Sequence, residues 1–126
     1  MADQVIQMKN GSDNAFPKNI LQYDTLINGI NPTTSVTSYS LYNSRNISNY
    51  NLIFALVKRG SDVRCTFLMP RALFASGVSM NLSDVDSGNT ERWYWIGYSS
   101  DTAVRIYKSA NGSDVTLYLY GLYIGL

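Results

Sequence analysis

Apolar residues occur along this chain in short runs that end at turn-forming residues. The sharpest run is Leu52 to Val57, which is apolar throughout and leads to the turn sequence Gly60-Ser61-Asp62. Val63 to Met69 then returns as a second apolar run, so the pattern predicts an antiparallel hairpin. Short strands separated by turns in this way are typical of β-sandwiches and barrels. Other strand-like runs are Ser35 to Tyr42, Val78 to Leu82 and Arg92 to Tyr98.

The C-terminal part of the chain predicts a second hairpin. Ala103 to Lys108 and Val115 to Ile124 flank Asn111-Gly112, a dipeptide that favours the tight turns of two-residue hairpins. Earlier in the chain, Ser83 to Thr90 is polar and is expected to form a loop. Arg71 to Ala75 is long enough for one helical turn only, so the core should be built from strands.

Two of these runs are apolar on both faces of the predicted strand. In the last strand, Leu117 and Leu119 lie on one face, while Tyr118 and Tyr120 lie on the other. The run from Leu52 to Val57 shows the same doubling, although a sandwich strand needs only one buried face. Either these strands are central in a fully covered sheet, or their second face packs against another copy of the chain. Because 126 residues offer little material to cover both faces, we expect self-association.

Composition favours a β fold in a single domain. A chain of 126 residues has a common single-domain size. Glutamate occurs once, lysines are few, and Asn, Ser, Thr and Tyr are abundant, a balance that favours strands and turns over helices. We therefore predict an all-β protein with an antiparallel, jelly-roll-like β-sandwich over residues 25–126. Residues 1–24, which include Val5 to Lys9 and the turn sequence Asn10-Gly11, are expected to form an N-terminal hairpin or arm.

Charge and hydropathy limit the partners. Ten basic and nine acidic residues leave a net charge of +1, which gives no strong attraction to nucleic acid or to an anionic membrane. No apolar run approaches the ~20 residues of a membrane-spanning helix, so membrane insertion is not expected. The first residues lack the basic and apolar segments of a secretory signal peptide, so we expect the chain to fold in a cytoplasm before any release.

Residues suited to catalysis are scarce. The chain has no histidine, the commonest general base and zinc ligand, and no glycine-rich phosphate loop. We therefore predict neither an enzyme nor a bound cofactor. Asp84, Asp86 and Glu91 could form a carboxylate pair or bind a cation, but their stretch is typical of a solvated turn. Cys65 lies in an apolar stretch and is expected to act as a small apolar side chain.

Aromatic residues are the most suggestive feature. Trp93 and Trp95 are predicted on one face of a strand, while Tyr98 lies on the other face. Aromatic rings combine apolar area with a polar edge, which suits both subunit interfaces and stacking on sugars. Two interpretations follow: the rings fill the core or an interface, or a sugar-binding groove includes Trp93, Trp95 or Tyr98. Stacking on single-stranded nucleic acid is disfavoured, because basic residues do not interleave with the aromatics.

The order of several segments is similar to that of a known class of protein. Val5 to Gly11 leads into Asn14 to Lys18, and Asn46 to Tyr50 leads into the run that starts at Leu52. Together with the closing Leu119-Tyr120-Gly121, this layout resembles tail-fibre and minor structural proteins of phages and prophages from Gram-positive gut bacteria. The resemblance implies a homotrimeric β-sandwich in the virion tail. Its partners would be other tail proteins and a bacterial cell-surface saccharide.

Three hypotheses for function follow. The first is a phage tail-associated structural and receptor-binding protein that contacts bacterial surface glycan. The second is a purely structural virion assembly protein that has no ligand. The third is a small glycan-active hydrolase that would use Asp84, Asp86 or Glu91.

Overall fold

The computed structural model describes residues 20–85, 88, 90–110 and 115–125. These residues form mostly strands, with one short α-helix and single turns of 3₁₀ helix at Tyr42–Ser44 and Ile47–Asn49. None of the helices in these ranges is long and apolar enough to cross a membrane. In chain order the elements are β1 (Ile20–Ile30), β2 (Thr37–Ser40), β3 (Leu52–Arg59), β4 (Asp62–Pro70), α1 (Arg71–Ala75), β5 (Met80–Val85), β6 (Glu91–Ser100), β7 (Ala103–Lys108) and β8 (Val115–Gly125).

The strands form two antiparallel sheets of four strands each. The first sheet has the order β1-β8-β3-β4, and the second sheet has the order β2-β7-β6-β5. As in a jelly roll, strands that are distant in sequence become neighbours, with β1 beside β8 and β2 beside β7. The predicted all-β antiparallel sandwich is confirmed.

The core lies between the two sheets. In β3, Ile53, Ala55 and Val57 point inward and are fully buried, whereas Leu52 and Phe54 point outward and are only partly buried. Burying each large apolar side chain contributes roughly 2 kcal/mol, so the inward positions hold the two sheets together. The largest fully buried side chains come from both sheets and from the helical segments beside them, and include Tyr94, Phe74, Leu26, Ile47, Ile53, Met80, Ile96, Ile106, Leu117 and Leu119.

The hairpin predicted between Leu52 and Met69 is confirmed. β3 and β4 pair antiparallel around Gly60, whose φ of 62° lies in the left-handed region that glycine adopts most easily. The helical turn predicted at Arg71 to Ala75 is also confirmed, as α1. Both features depend on turn residues that are close in sequence.

The second predicted hairpin is wrong. β7 pairs with β6 and β2, whereas β8 pairs with β1 and β3, so β7 and β8 lie in different sheets. Asn111 and Gly112, which carried the prediction, lie outside the described residues. In its actual position β8 is hydrogen-bonded along both edges, which stabilises a long strand more than one hairpin partner would.

The N-terminal boundary of the sandwich also differs from the expected one. β1 begins at Ile20, so residues 20–24 belong to the first sheet. The expected division at residue 24 therefore falls inside a strand. Residues 1–19, for which a hairpin or arm is predicted, lie outside the described residues.

The loop predicted from Ser83 to Thr90 is wrong at its start, because Ser83 to Val85 belong to a strand. β5 continues to Val85, and Asp84 on this strand points into the sandwich. The carboxylate of Asp84 is buried and lies 3.1 Å from guanidinium nitrogens of both Arg59 and Arg64, which belong to β3 and β4. A polar segment can therefore continue a strand here, because paired charges join the two sheets at this end of the sandwich.

Candidate binding faces

Aromatic side chains form a surface cluster on the second sheet. Alternation along β6 buries Tyr94 and Ile96 and turns Trp93 and Trp95 outward. Tyr107 of β7 lies opposite Trp95, and its ring centroid is 5.3 Å from that of Trp95 and 5.6 Å from that of Trp93. We call the three outward rings, Trp93, Tyr107 and Trp95, the aromatic face.

The aromatic face is continuous because Tyr107 bridges the two tryptophans. The ring of Tyr107 meets Trp93 edge-on at 74° and lies at 37° to Trp95, and edge-on or offset arrangements are those that aromatic pairs favour. Trp93 keeps 39% of its surface exposed, so its ring can be reached from solvent. Trp93 and Trp95 are also the two tryptophans of the whole chain.

Gly97 gives Trp95 its position. A Cβ atom on Gly97 would lie 2.3 Å from Cη2 of Trp95, so the indole ring occupies the space that a side chain would need. Sequence reasoning missed both Gly97 and Tyr107. The signal for Gly97 was its spacing two residues after Trp95, on the same strand face. Tyr107 joins the cluster through the pairing of β6 with β7 across Asp101-Thr102, a turn that carries no strong hairpin signal.

Hydrogen-bonding groups surround the aromatic face. Asn81 and Ser83 of β5 lie directly across from the two tryptophans, and both are exposed. Arg105 of β7, also exposed, lies across from Gly97. Glu91 is exposed at the start of the same face of β6. The rings are thus flanked by an amide, a hydroxyl, a guanidinium and a carboxylate.

Tyr98, the third residue predicted for a sugar site, lies on the opposite side of the sheet. Its ring packs edge-on against Phe74 of α1, with the ring centroids 6.1 Å apart. Its hydroxyl donates to Oδ1 of Asp101 at 2.7 Å, and this hydrogen bond raises the pKa of Tyr98. The structure therefore brings Trp93 and Trp95 together and separates Tyr98 from them.

The first sheet carries a second surface cluster, on the side away from the core. Two rows of paired residues cross all four strands on this side. One row is Thr25, Tyr120, Phe54 and Leu68, and the other is Tyr23, Leu122, Leu52 and Pro70. With the adjacent outward residues Leu21, Ile124, Tyr118, Leu56 and Val63, they form the side that we call the apolar face.

A groove of about 410 Å³ lies at the centre of the apolar face, lined by Tyr23, Phe54, Leu68, Tyr120 and Leu122. The ring centroid of Tyr120 is 5.5 Å from that of Tyr23 and 6.4 Å from that of Phe54. Partial burial among these rings raises the pKa of Tyr120. The doubling of apolar residues along β3 and β8 thus corresponds to one core-facing side and one solvent-facing side of the same sheet.

The acidic residues predicted as weak candidates for catalysis or cation binding do not converge. Asp84 points into the sandwich and is paired with two arginines, whereas Glu91 is exposed on the opposite side of the second sheet. Asp86 lies outside the described residues. Within the described ranges, no three Asp, Glu or Cys side chains are grouped as a metal site would require.

Cys65 is partly buried and packs against the core from β4. Burial, with a smaller effect from Asp84, raises the pKa of the Cys65 thiol to about 11. The thiol is therefore protonated near neutral pH and is a poor nucleophile. This environment agrees with its expected role as a small apolar side chain.

The chain was compared with protein-family models, with curated proteins and with solved structures. None of them matches it.

Proposed function

We propose that this protein is a non-catalytic binding subunit that holds a saccharide on the aromatic face, in the manner of a phage tail-associated protein that contacts bacterial surface glycan. The observation that carries the proposal is the solvent-facing cluster of Trp93, Tyr107 and Trp95, with Trp95 seated over Gly97. Sugar rings present apolar C–H faces and polar edges. Aromatic rings can pack against the apolar C–H faces of a sugar, and nearby polar side chains can form hydrogen bonds with its polar edges.

The groups around the rings supply the directional part of recognition. Sugar hydroxyls both donate and accept, and the face offers donors at Arg105, acceptors at Glu91, and both at Asn81 and Ser83. Each such hydrogen bond replaces one with water, so its net contribution is about 1 kcal/mol. One subunit should therefore bind weakly, and several linked copies would bind a repetitive surface glycan more tightly.

Charge favours a saccharide over a nucleic acid. Arg105 and Glu91 carry opposite charges near the two ends of the aromatic face, so no excess of positive charge faces a ligand. Stacked nucleobases would bring phosphates that need several basic groups beside the rings. The net charge of +1 for the whole chain points the same way.

The phage setting rests on the resemblance of segments such as Val5 to Gly11 and Asn46 to Tyr50 to tail-fibre proteins. The two-sheet sandwich, which is the fold that the resemblance implies, supports that setting. A second candidate, a structural virion protein without a ligand, is favoured by the apolar face, which suits assembly rather than recognition of a polar ligand.

Binding to an array of bacterial surface and cell-wall glycans tests the proposal. We expect the wild type to bind a subset of glycans and Trp93→Ala to weaken that binding about tenfold or more, which is about 1.4 kcal/mol. Tyr42→Ala is the matched control, because Tyr42 is an aromatic side chain with 45% exposure outside the face. Its binding should equal that of the wild type.

Two results would contradict the proposal. One is wild-type protein that binds no glycan, which would favour the structural candidate. The other is a folded Trp93→Ala variant that binds as tightly as the wild type. Release of reducing sugar by the wild type, lost in Glu91→Ala, would instead favour the hydrolase hypothesis.

A further inference from the structure

We infer that the apolar face is covered by the same face of a second copy of this chain, so that two sandwiches stack with their first sheets together. The inference concerns a different sheet from the aromatic face and does not depend on saccharide binding. It also differs from the homotrimer implied by the resemblance, because a face that meets its own copy forms a twofold pair.

Exposed apolar side chains are concentrated on the apolar face. Monomeric soluble proteins rarely leave large apolar side chains in one contiguous patch, and larger patches mark interaction sites. Among the described residues, the large apolar side chains that are more than half exposed are Leu21, Tyr23, Val63, Leu68 and Ile124 on this face, and Ile20 and Val36 elsewhere.

The apolar face carries little charge among its described residues, which suits pairing with the same face of a second copy of the chain. Among the described outward-facing residues of the four strands, Lys58 is the charged one, and its Nζ lies 5.7 Å from the ring centroid of Tyr118, at one end of the face. Two such faces can meet without burying like charges against each other. A highly charged partner would instead lose hydration with no opposite charge to replace it.

The size of the face is close to what a stable pair needs. Four strands at ~4.8 Å spacing and about eight residues at ~3.3 Å rise give a projection of roughly 19 Å by 26 Å, or about 500 Å². Accessible area exceeds projected area on a corrugated surface, and a standard interface buries about 800 Å² per partner. The face is therefore large enough to form the centre of a specific contact.

The aromatic content of the apolar face also fits an interface between proteins. Tyr23, Tyr118 and Tyr120 lie on this face with stacked or edge-on rings. Tyrosine is enriched at protein interfaces because its ring buries apolar area while its hydroxyl keeps a hydrogen bond at the rim. Stacked sheets pack about 10 Å apart with their side chains interdigitated, so the groove beside Tyr120 would receive side chains of the second copy.

Sedimentation of the wild-type chain of 126 residues at micromolar concentration tests the pairing. We expect twice the subunit mass of 14.1 kDa. Leu68→Glu should sediment as a single subunit, because it places a charge in the lining of the groove that the second copy would fill. Leu68 is 54% exposed in one subunit, so the variant should keep its fold. Leu73→Glu is the matched control, since Leu73 is 45% exposed on α1, and it should remain paired.

Circular dichroism of Leu68→Glu separates loss of pairing from loss of fold, and Leu21→Glu provides a second site on the same face. We expect both variants to raise the dissociation constant on the order of a hundredfold or more while the strand signal persists, because an unpaired charge would be buried in the contact. A wild type of single-subunit mass would overturn the inference. A trimer, or a folded Leu68→Glu variant that still pairs as the wild type does, would also overturn it. Glycan binding by a single-subunit wild type would leave the proposed function standing while the pairing fails.

Discussion

The ring of Tyr50 lies against the backbone of Gly121, with no room between them for a side chain. A Cβ atom on Gly121 would lie 2.4 Å from Cγ of Tyr50. The close approach lets the Tyr50 hydroxyl donate to Oδ2 of Asp24 at 2.8 Å, and Asp24 is the residue paired with Gly121 across β1 and β8. Tyr50 therefore links the segment before β3 to the edge strand of the first sheet.

Gly121→Ala should lower the free energy of unfolding by about 1–3 kcal/mol, because the added methyl group forces the ring of Tyr50 away. Urea denaturation measures this loss. The penalty should shrink in a Tyr50→Leu background, since the smaller side chain leaves space for the methyl group. An equal penalty in both backgrounds would show that the Tyr50 ring is not what excludes a side chain at Gly121.

The Tyr50 hydroxyl should make stability depend on alkaline pH. Burial first, and then the hydrogen bond to Asp24, raises the pKa of Tyr50 to about 12, from an ordinary value of about 10. Between these two values the folded state keeps a proton that the unfolded state has lost, so the free energy of unfolding falls as pH rises. Below about pH 10 the contribution is fully present.

Tyr50→Phe tests this contribution. The variant should lose about 1 kcal/mol near neutral pH, where the hydrogen bond is intact in the wild type. Its stability should then fall less steeply than that of the wild type between about pH 10 and pH 12. The difference between the two proteins is the informative quantity, because Tyr98 and Tyr120 also have raised pKa values. Parallel curves would contradict the assignment.

Local sequence patterns predicted those parts of the fold that depend on neighbouring residues. The turn at Gly60 predicted the β3–β4 hairpin, and alternation along β6 predicted that Trp93 and Trp95 share a face apart from Tyr98. The place of Tyr107 in the aromatic face was missed, because Asp101-Thr102, the turn that joins β6 to β7, lacks the Asn-Gly or other glycine signal of a tight hairpin.

The wrong hairpin has a different cause, which is pairing between strands that are far apart in sequence. Asn111-Gly112 is a strong local turn signal, but β8 reaches β1 and β3, which lie far from it in sequence. The free energy that a local turn preference contributes is small compared with the free energy gained by placing a strand between two partner strands. Likewise, the polar sequence around Asp84 did not predict a strand, because the arginines that pair with Asp84 lie on β3 and β4, away from it in sequence.

Asp84 should be a structural residue. Asp84→Asn leaves the guanidinium groups of Arg59 and Arg64 without their buried carboxylate, and should cost about 3 kcal/mol of unfolding free energy in urea denaturation. Glu91→Gln makes the same chemical change at an exposed position and should cost less than about 0.5 kcal/mol. A rise in the wild-type melting temperature with calcium, abolished by Asp84→Asn, would contradict the structural role.

Gly97→Ala should displace Trp95 without removing it. The new methyl group would occupy the space of the indole ring, so we expect a changed tryptophan emission and weaker glycan binding. Gly60→Ala is the control, because no heavy atom lies within 4 Å of a Cβ there and its left-handed φ costs stability alone. Unchanged emission and glycan binding in Gly97→Ala would show that Gly97 does not position the ring.

Saccharide binding by the aromatic face is tested most directly by tryptophan emission. Both tryptophans of the chain, Trp93 and Trp95, belong to this face, so their fluorescence reports on the surroundings of these two rings. Titration with a glycan selected on the array should change the emission saturably, in the wild type and equally in Leu68→Glu. Glycan binding that leaves the emission of both proteins unchanged would place the saccharide elsewhere and contradict the proposed function.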